Sequence, residues 1–97
     1  MMKIEQTVKD KRNEILSIAT RNGAYNVRLF GSVVRGEATE KSDVDFLVDM
    51  QPGRSLLDVA GLRIELEKLL GCKVDVVTTK GLKKSIKEDV LSEARAL

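Results

Sequence analysis

Ninety-seven residues, 42% apolar and 33% charged, suit one small domain, 1–97, with a real but modest core. A net charge of +2 is too low to argue for bulk nucleic-acid binding, and the absence of His excludes imidazole acid–base catalysis, Ser-His-Asp triads and imidazole-built zinc sites. No apolar run approaches the roughly 20 residues that span a bilayer, no signal-peptide stretch opens the chain, and the lone Cys72 reads as a small core residue without a disulfide partner, so a cytoplasmic setting is expected.

Ile4, Val8, Ile15, Ile18 and Ala19 line one face of a helix expected over residues 3–22, which Asn22-Gly23 stops. Val27 to Phe30 is a short β-prone run, strand 1. Residues 31–42 form a polar loop with room for one helical turn at Val33 to Gly36. Asp43 to Met50 alternates as strand 2, with Val44, Phe46 and Val48 on one face and Asp43, Asp45, Leu47 and Asp49 on the other.

Gln51-Pro52-Gly53 is a turn. Ser55 to Asp58 resembles a capping box, and Leu56, Val59, Leu62, Leu66 and Leu69 carry the stripe of a second helix, with Gly71 as its left-handed cap. Lys73 to Thr79 is strand 3. Leu82, Ile86, Val90, Ala94 and Leu97 continue helical patterning to the end, with Lys87 as the place for a break. The order α-β-β-α-β-α implies an α/β (α+β) fold, a small mixed sheet with flanking helices. With no Trp, one Tyr and two Phe, the core must be aliphatic.

The chemistry lies in Gly31-Ser32 and Asp43-Val44-Asp45, with ten residues between the two. Asp43 and Asp45 point the same way from a strand, roughly 6.5 to 7 Å apart. Carboxylates crowded on one face repel, and a divalent cation relieves that repulsion. Mg²⁺ suits such a site, being hard and bound through one or two carboxylates plus substrate phosphates. Asp75, flanked by valines on strand 3, is the third candidate, able to help hold a second metal and to accept a proton from an attacking hydroxyl. Asp49 shares the face but stands at the strand end.

Gly31 allows phosphate to approach the backbone, and Ser32 supplies a hydroxyl. Arg35 and Lys41 could neutralise triphosphate charge. An isolated Asp-x-Asp is commonly a solvated strand face, and an isolated Gly-Ser is a common turn. The four residues at this spacing would arise by chance on the order of once in a thousand chains of this length. Tyr25 is expected to pack against the sheet, and Lys80, Lys83, Lys84 and Lys87 to form a solvated helix face.

Gly31-Ser32, Asp43-Val44-Asp45 and Asp75 together resemble the DNA polymerase beta-like nucleotidyltransferase superfamily. The strings Leu-Phe-Gly-Ser-Val-Val-Arg-Gly, Ser-Asp-Val-Asp-Phe-Leu-Val and Leu-Leu-Gly-Cys-Lys-Val-Asp-Val-Val-Thr are similar to its minimal nucleotidyltransferases, the MNT group. The resemblance covers about residues 25–80 specifically. It implies that Asp43, Asp45 and Asp75 bind Mg²⁺, in a two-metal site, and that Gly31 and Ser32 hold the triphosphate of ATP. It also implies an antitoxin of HEPN/MNT type, which transfers AMP to a Tyr of a helical HEPN toxin.

A chain this short has donor-side ligands but little acceptor pocket, so the acceptor is expected on another protein, in a hetero-oligomer or a homo-oligomer. Two alternatives stay open. One is a non-catalytic antitoxin that occludes its toxin. The other is a nucleotidyltransferase acting on a small molecule or RNA end.

Overall fold

The computed structural model describes residues 4–39 and 43–97. Helices α1 (Ile4–Asp10) and α2 (Arg12–Arg21) lead into strand β1 (Ala24–Phe30), the short helix α3 (Ser32–Arg35) and strand β2 (Val44–Met50). Helix α4 (Leu56–Leu70), strand β3 (Val74–Thr78), a 3-10 turn (Thr79–Gly81), helix α5 (Lys84–Glu93) and strand β4 (Arg95–Ala96) follow. The strands lie in the order β3-β2-β1-β4. β1 is antiparallel to both β2 and β4, whereas β2 and β3 are parallel. The architecture is the expected mixed sheet with flanking helices.

Period-two patterning sets the core face. Val44, Phe46 and Val48 alternate along β2, and all three are buried. They form one cluster with Ile15, Ile18 and Ala19 of α2 and with Leu62, Leu66 and Leu70 of α4. These spacings bring one face of each helix onto the sheet. Cys72 packs against this cluster, as expected of a small core residue.

Both ends of α4 follow its sequence signals. Ser55 accepts from the Leu57 N–H at 3.2 Å, while Asp58 accepts from the Ser55 N–H at 2.9 Å, closing the capping box. Gly71 ends the helix in the left-handed conformation, φ 69° and ψ 24°. The first turn departs from expectation: Leu56, placed on the apolar stripe, is 85% exposed, and Leu57 beside it is 83% exposed.

β2 and β3 are each within one residue per end of the expected strands, so that Asp43 falls just before β2, while three larger differences stand out. The first helix is two, hitched at Lys11 (φ −101°, ψ 15°), although bonds from the Lys11 N–H to Thr7 O and from the Ile15 N–H to Lys11 O carry the apolar face across. β1 starts at Ala24 rather than Val27. Asn26 takes φ 52° at a register shift between Tyr25 and Arg28, a bulge that Asn tolerates better than most residues. The terminal helix runs through Lys87 unbroken and stops at Glu93. Arg95–Ala96 then pair with Leu29 and Arg28, and the Leu97 N–H donates to Val27 O at 3.2 Å. The spacing of Ala94 and Leu97 mimicked a continuing helix, whereas those residues serve the sheet edge.

Candidate active site

Three adjacent strands bring the expected residues together. Asp45 lies opposite Phe30 of β1 on one side and opposite Asp75 of β3 on the other. Neighbouring strands are about 4.8 Å apart, so two carboxylates stand side by side on one face. Asp43 immediately precedes β2 and is exposed, as is Asp75. The chain leaves β1 at Phe30, turns at Gly31 and enters α3 at Ser32 beside this cluster.

The Gly31 backbone demands glycine, and the Asp45 side chain lies against the same position. The backbone, φ 79° and ψ −152°, lies in a region that is essentially glycine-only. A Cβ built there would also run into Oδ2 of Asp45. The turn and the central carboxylate are therefore packed as one unit, and the Gly-Ser pair and the Asp-x-Asp pair meet in space as well as in spacing.

Asp45 is half-buried, and its carboxyl is pushed up from 3.8 to about 6. Burial is the largest cause, followed by repulsion from Asp75 and then Asp43. Arg35 partly offsets these, and Glu93 adds a little repulsion. The fold thus concentrates negative charge that its own residues leave uncompensated. Asp49, on the same face, is held differently. Hydrogen bonding from Thr79 and Asn26 and the nearby Arg28 guanidinium hold its carboxyl low, the Asn26 bond being 2.9 Å and the Arg28 pair 3.5 Å. Asp49 belongs to a structural network that also joins Arg28 to Thr79 at 3.0 Å.

Among the described residues, no three Asp, Glu or Cys side chains converge into a ready-made metal cluster. The donor set still fits a hard divalent cation. It is all oxygen, and a half-buried Asp45 carries charge in need of neutralisation. Asp43 and Asp75 are exposed.

Arg35 stands at the end of α3, and Ser32 is half-buried at its start. Lys41 lies outside the described residues. Tyr25, expected against the sheet, is instead 51% exposed, at the register shift that precedes Arg28.

Glu93 is the residue that the sequence reading missed. It reaches from the last position of α5 to Arg35, with Oε1 2.7 Å from Nη1, and its Oε2 accepts from the Gly31 N–H at 3.3 Å. A Glu at the end of a helical stripe carries no local signal for a contact made across about sixty residues.

Comparison with known proteins bears on the family and the fold. Residues 2–97 match the family described as a nucleotidyltransferase domain. The chain is 49% identical over 73 residues to protein adenylyltransferase MntA of Thermococcus cleftensis, covering 75% of this chain and 74% of that protein. It is 38% identical over 87 residues to a Methanocaldococcus jannaschii protein described as a candidate protein adenylyltransferase, covering 90% and 94%. A solved structure described as a candidate minimal nucleotidyltransferase superposes with a TM-score of 0.88 at 49% identity, covering 99% of this chain and 97% of that one. One chain of a toxin–antitoxin structure solved with AMP-PNP shares the fold, with a TM-score of 0.75 at 22% identity, covering 87% and 69%.

Proposed function

This chain belongs to the nucleotidyltransferase domain family, and from that premise we propose that it transfers AMP from ATP to a hydroxyl, a Tyr, of a partner HEPN toxin and so acts as its antitoxin. The observation that carries the reading is the unit formed by Gly31 packed on Asp45, with Asp75 alongside. The nucleotide part is supported by that unit, and the protein acceptor by the likeness to a protein adenylyltransferase.

The Gly31 N–H and the Ser32 hydroxyl donate to phosphate oxygens, and Arg35 neutralises charge on the triphosphate. Asp43, Asp45 and Asp75 would hold Mg²⁺, which when bound supplies charge neutralisation for the attacking and leaving oxygens of an in-line displacement. In the transfer, the acceptor oxygen bonds to the α-phosphorus, the bond from that phosphorus to the bridging oxygen breaks, and pyrophosphate leaves. The exposed Asp75 carboxylate takes the acceptor's proton. Asp43 and Asp75 both face solvent, so a hydroxyl arriving on another protein can reach this edge of the site.

The test is transfer of radiolabel from α-labelled ATP to the co-encoded helical protein, with Mg²⁺ present. Transfer by the wild-type chain and its loss in Asp43→Asn plus Asp45→Asn is the expected result. Equal labelling by that double variant would sink the reading. A second reading, neutralisation by occlusion alone, is favoured by the exposure of Leu56 and Leu57. Protection of cells by the double variant would support it.

A further inference from the structure

We infer that Glu93 is a built-in competitor of the nucleotide: its carboxylate occupies the Gly31 N–H and the Arg35 guanidinium, and it must swing away before a triphosphate can take those donors. The inference rests on the nucleotide reading above and adds a control element to the same site.

The geometry is that of an anion held by a phosphate cradle. One carboxylate oxygen of Glu93 meets Arg35 Nη1 at 2.7 Å, and the other accepts from the Gly31 N–H at 3.3 Å. A phosphate offers the same pair of acceptor oxygens, and the single Gly31 N–H cannot fully serve two anions while Glu93 also neutralises part of the Arg35 charge. The Glu93 side chain is 25% exposed and that of Arg35 49%, so the clasp can open by side-chain rotation without disturbing the core.

Two further observations set Glu93 apart from an incidental surface pair. It is the last residue of α5, a helix whose final turn contains no basic residue. A carboxylate there opposes the negative end of the helix dipole, so the position does not serve the helix. Moreover, α5 buries no residue of its own. Its end is brought to the site by β4, which pairs with β1 directly after Ala94. Glu37 provides an internal contrast: it pairs with Arg35 at 3.4 Å from an exposed position and has no hydrogen bond to the Gly31 N–H.

The test measures binding of ATP with Mg²⁺, and of inorganic tripolyphosphate, to the full chain by calorimetry. Wild type, Glu93→Gln, Glu93→Ala and Glu37→Gln are compared, with circular dichroism to verify folding. Removing the clasping charge is expected to tighten both ligands about three- to tenfold in the two Glu93 variants, and Glu37→Gln to change them by less than about twofold. Unchanged or weaker binding in both Glu93 variants overturns the competitor role while leaving the nucleotide reading intact. Equal tightening in Glu37→Gln reduces the effect to general charge and also overturns it. If neither ligand binds any variant, the nucleotide reading falls first and the competitor with it.

Discussion

Asp45→Asn should make this protein more stable while abolishing nucleotidyl transfer. The carboxyl of Asp45 is raised from 3.8 to about 6, first by burial and then by Asp75 and Asp43. At about 1.36 kcal/mol per pH unit, that displacement corresponds to about 3 kcal/mol of unfavourable charge. The group is only half-buried, and solvent screening reduces the figure to about 1 to 2 kcal/mol. The sign follows from linkage: a carboxyl that holds its proton more tightly when folded destabilises the fold above its folded value. The penalty is complete above about pH 6, fades as pH falls from there toward 3.8, and is gone near pH 3, where both folded and unfolded chains are protonated.

Urea denaturation should therefore show the Asn variant about 1 to 2 kcal/mol more stable at pH 7.5, equivalent to a melting temperature higher by on the order of 5 to 10 °C. The gain should shrink to near zero at about pH 3, below the unfolded value of 3.8. Millimolar Mg²⁺ should stabilise the wild-type chain at pH 7.5, because it offsets the same charge, and should have little effect on the variant. A variant less stable than wild type at pH 7.5, or an equal gain at both pH values, would refute the claim that Asp45 carries uncompensated charge.

Gly31→Ala should cost about 1 to 3 kcal/mol, since it forces a side chain into a glycine-only conformation. Its Cβ would also displace the Asp45 carboxylate, so transfer by the folded fraction should fall at least about a hundredfold in the labelling assay. Asp49→Asn should retain transfer, because Asp49 is committed to Asn26, Arg28 and Thr79. Its depressed carboxyl has the opposite linkage to Asp45: its contribution is present above about pH 4 and is lost as pH falls, so the stability difference from wild type should narrow in acid urea titrations. Ser55→Ala should lower stability by about 1 kcal/mol through loss of the α4 cap, with transfer per folded molecule unchanged.

Local chemistry made much of this protein legible in its sequence. The alternation of Val44, Phe46 and Val48, the Ser55 capping box and the Gly71 stop each depend on neighbours within a few residues. Gly31-Ser32 and Asp43-Val44-Asp45 were likewise readable, because the spacing along one turn and one strand already implies a shared face. What the sequence alone left undecided depends on contacts between distant segments. The two-residue β4 is too short to bear a periodic signal and exists only because β1 offers an edge to pair with. The bulge between Tyr25 and Arg28 arises only in the pairing with β2.

The site divides along the same line. Sequence nominated the acidic residues, but their electrostatics arise only when β2 and β3 run parallel and set Asp45 against Asp75. The need for glycine at position 31 became specific once the Asp45 carboxylate was seen to fill the space of its missing Cβ. Glu93 was invisible along the chain, because the helix bearing it reaches Gly31 and Arg35 only through tertiary packing. Short-range stereochemistry is written in residue order, whereas charge crowding and anion competition depend on through-space distance, which only the folded chain determines.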